Sequence, residues 1–195
     1  MNDQSQTKRT QGNIEPEQTN LGREFAGKYM TFRLAGEDYG IAILNVVQLI
    51  RLQHITRVPR MPKFVRGVIN LRGKVIPTID LRVKFGMGRV EETDHTVIIV
   101  VQHETDEGLL TMGILVDEVL EVINLGPEEI TPTPNFGSGG IDTDFILCLG
   151  TVGDRVVFLL DIGLVLSTEE WRQMERGRKS GAVSAGAQSV VHPEM

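Results

Sequence analysis

The chain has one cysteine, no surplus of positive charge and no long hydrophobic run, and each absence excludes a class of protein. Cys148 is the only cysteine in 195 residues, which excludes an intrachain disulfide and fits a reducing compartment. The formal net charge of −6 argues against a nucleic-acid-binding protein, because phosphate neutralisation requires a basic face. No apolar run approaches the roughly 20 residues that cross a bilayer, and the N-terminus lacks a signal-peptide pattern. We therefore expect a soluble, cytoplasmic protein without direct membrane insertion.

Aromatic residues are also scarce, and their scarcity indicates how the core is built. They make up 5% of the chain, against 41% for all hydrophobic residues, so Val, Ile and Leu must fill the interior. Such β-branched richness favours sheet, and the length allows one modest core or two small ones. Cys148 stands in the apolar run 145–149, where we expect a small buried hydrophobic residue and not a nucleophile.

A hairpin in the middle of the chain organises the sequence. Residues 67–71 and 74–79 form two apolar runs around a tight turn at Arg72-Gly73, where glycine supplies the backbone freedom that the connection requires. Pro77 cannot donate to a ladder, which places the second strand at an edge or beside a bulge. Asp80 follows this strand and is expected to cap a short helical turn.

The same arrangement recurs near the C-terminus. In residues 147–166, Gly153-Asp154-Arg155 replaces the Arg72-Gly73-Lys74 turn, and Asp161 replaces Asp80. Upstream, residues 40–50 match residues 113–123 in the same order. Ordered matches at several points indicate an internal duplication, although chance resemblance between β-rich sequences is the alternative.

The duplication predicts the domain organisation. Residues 1–23 have almost no apolar side chain and are expected to be a disordered tail, because they cannot offset the entropy cost of ordering. Residues 24–170 form the folded part, with approximate halves 24–90 and 91–170. Each half offers about five short strands, which predicts an all-β fold of two tandem, intertwined five-stranded barrels that share an interface. Residues 167–170 cap a helix from Trp171, which fades into a second disordered tail ending at 195.

The residues that could support catalysis or bind a metal do not form a recognisable pattern. The four histidines are scattered without ligand spacing: His54, His95, His103 and His192. The glycine-rich run 137–140 lacks the Lys-Ser/Thr of a phosphate loop. No nucleophile, base and oxyanion site can be assembled. The sequence therefore predicts a non-enzymatic binding protein without cofactor or metal.

Several segments together resemble the CheW family, the coupling proteins of bacterial chemotaxis. The resemblance covers about residues 25–170 and rests on these stretches: Tyr39-Gly40-Ile41, Asn70-Leu71-Arg72-Gly73, Ile76-Pro77-Thr78-Ile79-Asp80, Met112-Gly113-Ile114-Leu115-Val116-Asp117-Glu118-Val119 and Pro127-Glu128-Glu129-Ile130. One departure is the wholly apolar run 145–149, where the family more often has a charged or small residue. The resemblance implies that the barrels are SH3-like, and that the chain is a stand-alone adaptor. Its implied partners are a CheA-type histidine kinase and the cytoplasmic tips of methyl-accepting chemoreceptors, in membrane-associated arrays.

The resemblance also implies two binding surfaces. A groove between the barrels would receive the receptor's helical hairpin and contain Val46, Gly67, Asn70, Arg72 and Gly73. Val46 would supply an apolar floor and Arg72 a fork of hydrogen-bond donors at the rim. From the residues alone, Val46 could equally be core and Arg72 merely a turn residue. The second barrel would contact the kinase, with four candidate residues: Val97, Ile99, Leu120 and Val122.

A function of a different class is left open by the long connection at residues 132–143. This stretch is rich in proline and glycine and is too long for an ordinary turn. The alternative hypothesis is accordingly a small-barrel ligand-binding module, or a degenerate enzyme, with its site in this loop.

Overall fold

The structure is a computed structural model that describes residues 16–89, 92–105, 108–134, 144–167, 169–172 and 174. Its helices and strands, in chain order, are α1 Pro16–Phe25, β1 Gly27–Leu34, β2 Glu37–Ala42, β3 Val46–Arg51, β4 Val65–Leu71, β5 Lys74–Asp80, α2 Leu81–Lys84, β6 Val97–Thr105, β7 Gly108–Val116, β8 Glu118–Leu125, β9 Ile130–Thr131, β10 Ile146–Val152 and β11 Arg155–Leu160. Two 3-10 turns, Ile43–Asn45 and Pro127–Glu129, complete the set.

The strands form two sheets. The six-stranded sheet has the order β8-β1-β2-β11-β10-β9, and the five-stranded sheet has the order β3-β6-β7-β5-β4. Neighbouring strands are antiparallel except in two pairs, β2 with β11 and β5 with β7. The predicted all-β class is confirmed, with few and short helices.

The two parallel pairs join the duplicated segments crosswise. Strand β5 of the first hairpin pairs with β7, where Ile79 lies opposite Ile114. Strand β11 of the second hairpin pairs with β2, where Leu160 lies opposite Ile41. Ile41 and Ile114 match in the duplication, as do Ile79 and Leu160. Equivalent segments thus make equivalent contacts, each with the other copy, which supports the predicted duplication.

The sheets consequently do not coincide with the expected halves 24–90 and 91–170. Strands β1 and β2 come from the first half but belong to the six-stranded sheet. Strands β6 and β7 come from the second half but belong to the five-stranded sheet. The alternation along a strand is the same whichever neighbour it pairs with. The sequence pattern therefore does not reveal the exchange.

A shared core lies between the sheets, as expected. Its buried members include Phe32 and Ile41 of the six-stranded sheet together with Ile99 and Ile114 of the five-stranded sheet. Two smaller cores belong to the individual sheets, and Cys148 lies fully buried in that of the six-stranded sheet. The prediction that Cys148 is a buried hydrophobic residue is confirmed. Most of the large apolar surface is thus removed from water between the two sheets.

The two hairpins end in equivalent caps. Asp80 caps α2 by accepting a hydrogen bond from the Val83 backbone N–H at 3.1 Å. Asp161 does the same for the turn that follows β11, accepting from the Gly163 N–H at 2.8 Å. Pro77 lies outside the parallel pairing of β5 with β7, which begins at Thr78. The structural roles predicted for both aspartates are confirmed.

Ordered structure begins earlier than residue 24. Helix α1 contacts the 3-10 turn at Pro127–Glu129 and strand β9. Leu21 and Phe25, one helical turn apart, pack against the core of the six-stranded sheet. The expected disordered tail 1–23 is therefore wrong for residues 16–23, because two apolar side chains at helical spacing suffice when a sheet edge receives them. Residues 1–15 lie outside the described residues, as do those after 174.

The predicted helix near the C-terminus begins with the expected cap. The Ser167 side chain accepts from the Glu170 N–H at 3.3 Å, and the Glu170 carboxylate accepts from the Ser167 N–H at 2.7 Å. Residues 169–172 and 174 are helical, so the helix starts two residues before Trp171. Trp171 packs against the shared core, and Met174 is buried in it.

Candidate functional site

The turn between β4 and β5 holds Arg72 at the surface. Arg72 and Gly73 both have positive φ angles, +52° and +84°, as a two-residue hairpin turn that follows the strand twist requires. The Asn70 side-chain oxygen accepts a hydrogen bond from the Gly73 N–H at 2.9 Å and stabilises this turn. Arg72 is exposed, and no carboxylate in the described part of the chain forms an ion pair with it. Its guanidinium is therefore available to a partner.

A groove of about 470 Å³ lies beside this turn, and we call it the Arg72 groove. Three apolar side chains in its lining are strongly exposed, Val47 at 50%, Val75 at 45% and Leu109 at 64%. Trp171 and Met174 line it as well. Exposed apolar side chains gathered in one groove, rather than scattered singly, are typical of an interaction surface.

The charged residues among the described lining of the groove are all cationic. Arg72 and Lys74 line it, and no carboxylate is among the described residues that do. This cationic rim belongs to a chain whose formal net charge is −6. A local potential opposite to that of the whole protein favours an acidic partner at this place and steers its approach.

The five residues predicted for the receptor groove have different positions. Arg72 lines the groove, whereas Asn70 and Gly73 shape the turn that carries it. Val46 is half-buried against the shared core, and its neighbour Val47 is the one that reaches the groove. Gly67 is buried, and the backbone of Thr56 approaches it closely. A register shift in β3 between Val46 and Gln48 places Val46 against the shared core, while Val47 and Gln48 line the groove. The role of Val46 in receptor binding stays a prediction.

Sequence reasoning missed most of the groove's apolar lining. Val47 and Val75 carried a signal, because each stands next to an inward-facing position of its strand, Val46 and Ile76 respectively. The start of β7 does not alternate in burial, so Leu109 carried no such signal. Trp171 and Met174 carried none, since they come from the far end of the chain. Only the packing of the C-terminal helical residues brings them to the groove.

The four residues predicted for the kinase contact lie in both sheets. Leu120 and Val122 belong to β8 in the six-stranded sheet, where Val122 is 48% exposed. Val97 and Ile99 belong to β6 in the five-stranded sheet. Ile99 is completely buried in the shared core, so it cannot touch a partner. Both faces of β6 are covered around Ile99, so neighbouring residues on either face of this strand are buried.

The described residues show little that would support catalysis. Burial, and secondly the negative charge of Glu24, raise the pKa of Cys148 to about 11, so its thiol stays protonated at neutral pH. No group of three or more potential metal ligands occurs in the described ranges. Within the same ranges, no helix is both long and apolar enough to cross a membrane.

Comparison with known proteins supports the assignment that the hairpin signature suggested. A family model described as the CheW-like domain matches residues 28–170. The chain belongs to the CheW family. Its relatives include the chemotaxis protein CheW of Klebsiella aerogenes, with 38% identity over 159 residues, which covers 82% of this chain and 93% of the relative. The chemotaxis protein CheW of Helicobacter pylori is 32% identical over 142 residues, covering 73% of this chain and 82% of that protein.

The fold agrees with a solved member of the CheW family. The crystal structure of the scaffolding protein TtCheW from Thermoanaerobacter tengcongensis matches with a TM-score of 0.65 and 32% identity, over 75% of this chain and 96% of that one. The chain is thus a chemotaxis adaptor of the CheW family. The alternative of a ligand-binding module is not favoured by these comparisons, and residues 135–143 of its candidate loop lie outside the described residues.

Proposed function

We propose that the chain couples methyl-accepting chemoreceptors to a CheA-type histidine kinase, without catalysing a reaction itself, and is recruited to membrane-associated receptor arrays. The observation that carries this proposal is the Arg72 groove. It combines exposed apolar side chains with a cationic rim, on an adaptor whose relatives are named for chemotaxis and scaffolding.

The receptor tip is the partner that the groove fits best. An amphipathic helix would place its apolar face on Val47, Val75 and Leu109 and its carboxylates on Arg72 and Lys74. Arginine can hold a carboxylate with two parallel hydrogen bonds. Asn70 and Gly73 contribute by shaping the turn, and Gly67 by anchoring β4 against Thr56. Val46 supports the groove from below through its place against the shared core.

The kinase is assigned to the other sheet. Val122 and Leu120 on β8 offer an apolar contact on the six-stranded sheet, while the Arg72 groove is built on the five-stranded sheet. Val97 is half-buried and contributes at most to the edge of a kinase contact. Ile99 is buried and is not part of that surface. An adaptor with its partners on separate sheets can bind both at once.

The proposal is tested with Arg72→Ala and Val122→Glu in a reconstituted assay of receptors, kinase and adaptor. Arg72→Ala should retain kinase pull-down and lose receptor control of kinase activity. Val122→Glu should instead weaken kinase pull-down more than receptor binding. Arg57→Ala is the matched control, because Arg57 is exposed and does not line the groove. Normal receptor control by a folded Arg72→Ala protein would overturn the receptor assignment.

A further inference from the structure

An ion pair outside the predicted site involves Glu170, the residue that precedes Trp171 of the Arg72 groove. Lys84 Nζ, at the end of α2, lies 2.6 Å and 2.8 Å from the two carboxylate oxygens of Glu170. Both side chains are largely shielded from water, with 17% and 23% exposed. The Lys84 ammonium also lies 4.9 Å from the centre of the Phe64 ring. A shielded pair with two short contacts has a better-defined geometry than an exposed one.

Glu170 connects this pair to the helical residues that follow. Its Oε2 accepts from the Ser167 N–H, so the carboxylate completes the helix cap while it binds Lys84. Trp171 is the next residue and lines the groove together with Met174. Met174 is buried in the shared core, which fixes the far end of this short segment. Glu170 therefore links the ion pair with Lys84 to the segment that carries Trp171.

The groove needs the wall formed by Trp171 and Met174, because the rest of its described apolar lining comes from the five-stranded sheet. Trp171 is the largest apolar side chain in the lining, and it lies in the same groove as Arg72 and Lys74. Large aromatic side chains carry a disproportionate share of binding energy at interfaces. A displaced Trp171 would leave the sheet residues and the cationic rim intact but remove the facing apolar surface.

We propose that Trp171 is a partner contact of the Arg72 groove and that Glu170, through its ion pair with Lys84, is the residue that positions it. The partner would be an amphipathic helix with an apolar ridge between Trp171 and the sheet residues and carboxylates toward Arg72 and Lys74. This inference rests on the proposed receptor function of the groove and extends the binding surface to the C-terminal helical residues.

Glu170→Gln is the informative variant. Glutamine keeps an oxygen for the Ser167 N–H, so the cap is retained while the charge toward Lys84 is removed. Glu169→Gln is the matched control, because it removes the same charge from the exposed neighbouring residue. Lys84→Gln removes the other partner, and the double variant Lys84→Gln/Glu170→Gln closes a thermodynamic cycle.

The first readout is fluorescence, because Trp171 is the only tryptophan of the chain. In the full-length protein, Glu170→Gln and Lys84→Gln should each shift the Trp171 emission to longer wavelength and increase its quenching by acrylamide. The double variant should resemble either single one, while Glu169→Gln should match the parent. Parent-like spectra for both single variants would overturn the positioning role, as would additive effects in the double variant.

The second readout is binding to a purified cytoplasmic signalling fragment of a methyl-accepting chemoreceptor. Glu170→Gln should weaken this binding by about fivefold while leaving kinase pull-down unchanged, since a wall residue affects one surface only. Equal losses for both partners, or altered fluorescence with unchanged receptor binding, would overturn the contact role of Trp171. If Arg72→Ala leaves receptor binding unchanged, the receptor function of the groove fails, whatever the fluorescence shows.

Discussion

Gly67 and Gly73 lie in one hairpin yet differ in what surrounds their missing side chains. A Cβ on Gly67, whose φ is +143°, would stand 2.8 Å from the Thr56 carbonyl carbon and closer still to its oxygen. A Cβ on Gly73, whose φ is +84°, would meet open space. Both residues need glycine for their backbone conformation, but only Gly67 needs it for the close approach of another chain segment.

Gly67→Ala should therefore cost clearly more stability than Gly73→Ala. We expect a loss of more than about 2 kcal/mol for Gly67→Ala, from backbone strain and the clash with Thr56, against about 1 kcal/mol for Gly73→Ala. Urea unfolding of both variants and the parent measures the difference. Equal losses would show that the contact with Thr56 does not restrict Gly67.

The Glu170 carboxylate should make stability depend on acid. Burial alone raises the pKa of Glu170, but hydrogen bonds from Lys84 and from the Ser167 backbone outweigh it, and the pKa lies below its ordinary value of 4.5. The unfolded state then binds more protons below pH 4.5, so the stabilising contribution is complete above this pH. It is lost as the pH falls through the lowered native value.

Glu170→Gln should accordingly flatten the fall of unfolding free energy below pH 4.5. Urea titrations at a series of acidic pH values measure the slope, and Glu169→Gln should retain that of the parent. An unchanged slope in Glu170→Gln would mean that the pair with Lys84 is as well solvated in the folded chain as in the unfolded one.

At the scale of elements, α1 is the one whose importance the polar N-terminal sequence concealed. Its apolar contacts come from Leu21 and Phe25, and the Phe25 carbonyl also accepts a hydrogen bond from the Tyr29 hydroxyl at 2.6 Å. Helices this short are marginal in water unless a partner covers their apolar side. The six-stranded sheet supplies that partner here.

Leu21→Ala and Phe25→Ala should each lower the unfolding free energy by about 1–2 kcal/mol, since both side chains are half-buried. Arg23→Ala is the control on the exposed side of the same helix and should be neutral within about 0.5 kcal/mol. Thermal unfolding of the three variants checks this. Neutral effects at Leu21 and Phe25 would show that α1 is dispensable for stability.

At the scale of the whole molecule, the exchange of strands between the duplicated segments makes the two sheets interdependent. Each half of the chain leaves strands whose parallel neighbour lies in the other half, through β5 with β7 and β2 with β11. A strand separated from this neighbour exposes unpaired backbone groups and one apolar face. Neither half therefore contains a complete sheet.

Fragments 16–90 and 91–174 should each fail to fold alone and should associate into a folded complex when mixed. The physical reason is that both parallel pairs and the shared core cross the cut. Circular dichroism and a cooperative melting transition, measured for each fragment and for the mixture, test this expectation. A cooperative transition in fragment 16–90 alone would contradict it.

The local elements and their chemistry follow from the amino-acid sequence without knowledge of the fold. Glycine at the turn after Arg72, aspartate after each hairpin and serine before Glu170 act through neighbours within a few residues, so their roles can be read from spacing. The unbroken run of β-branched residues at 96–101 likewise predicts a strand covered on both faces. The prediction of Ile99 as a surface contact disagrees with that pattern, and Ile99 is completely buried.

Which segments of the chain meet is visible only in the folded protein. The exchange of strands, the docking of α1 and the place of Trp171 beside Arg72 all depend on contacts between residues far apart in the chain. Periodicity reports whether a side chain faces inward, because that depends on its own strand, but it does not identify the surface that side chain meets. The predicted site consequently shares Arg72 with the groove of the structure, whereas the apolar lining of that groove became visible only in the folded chain.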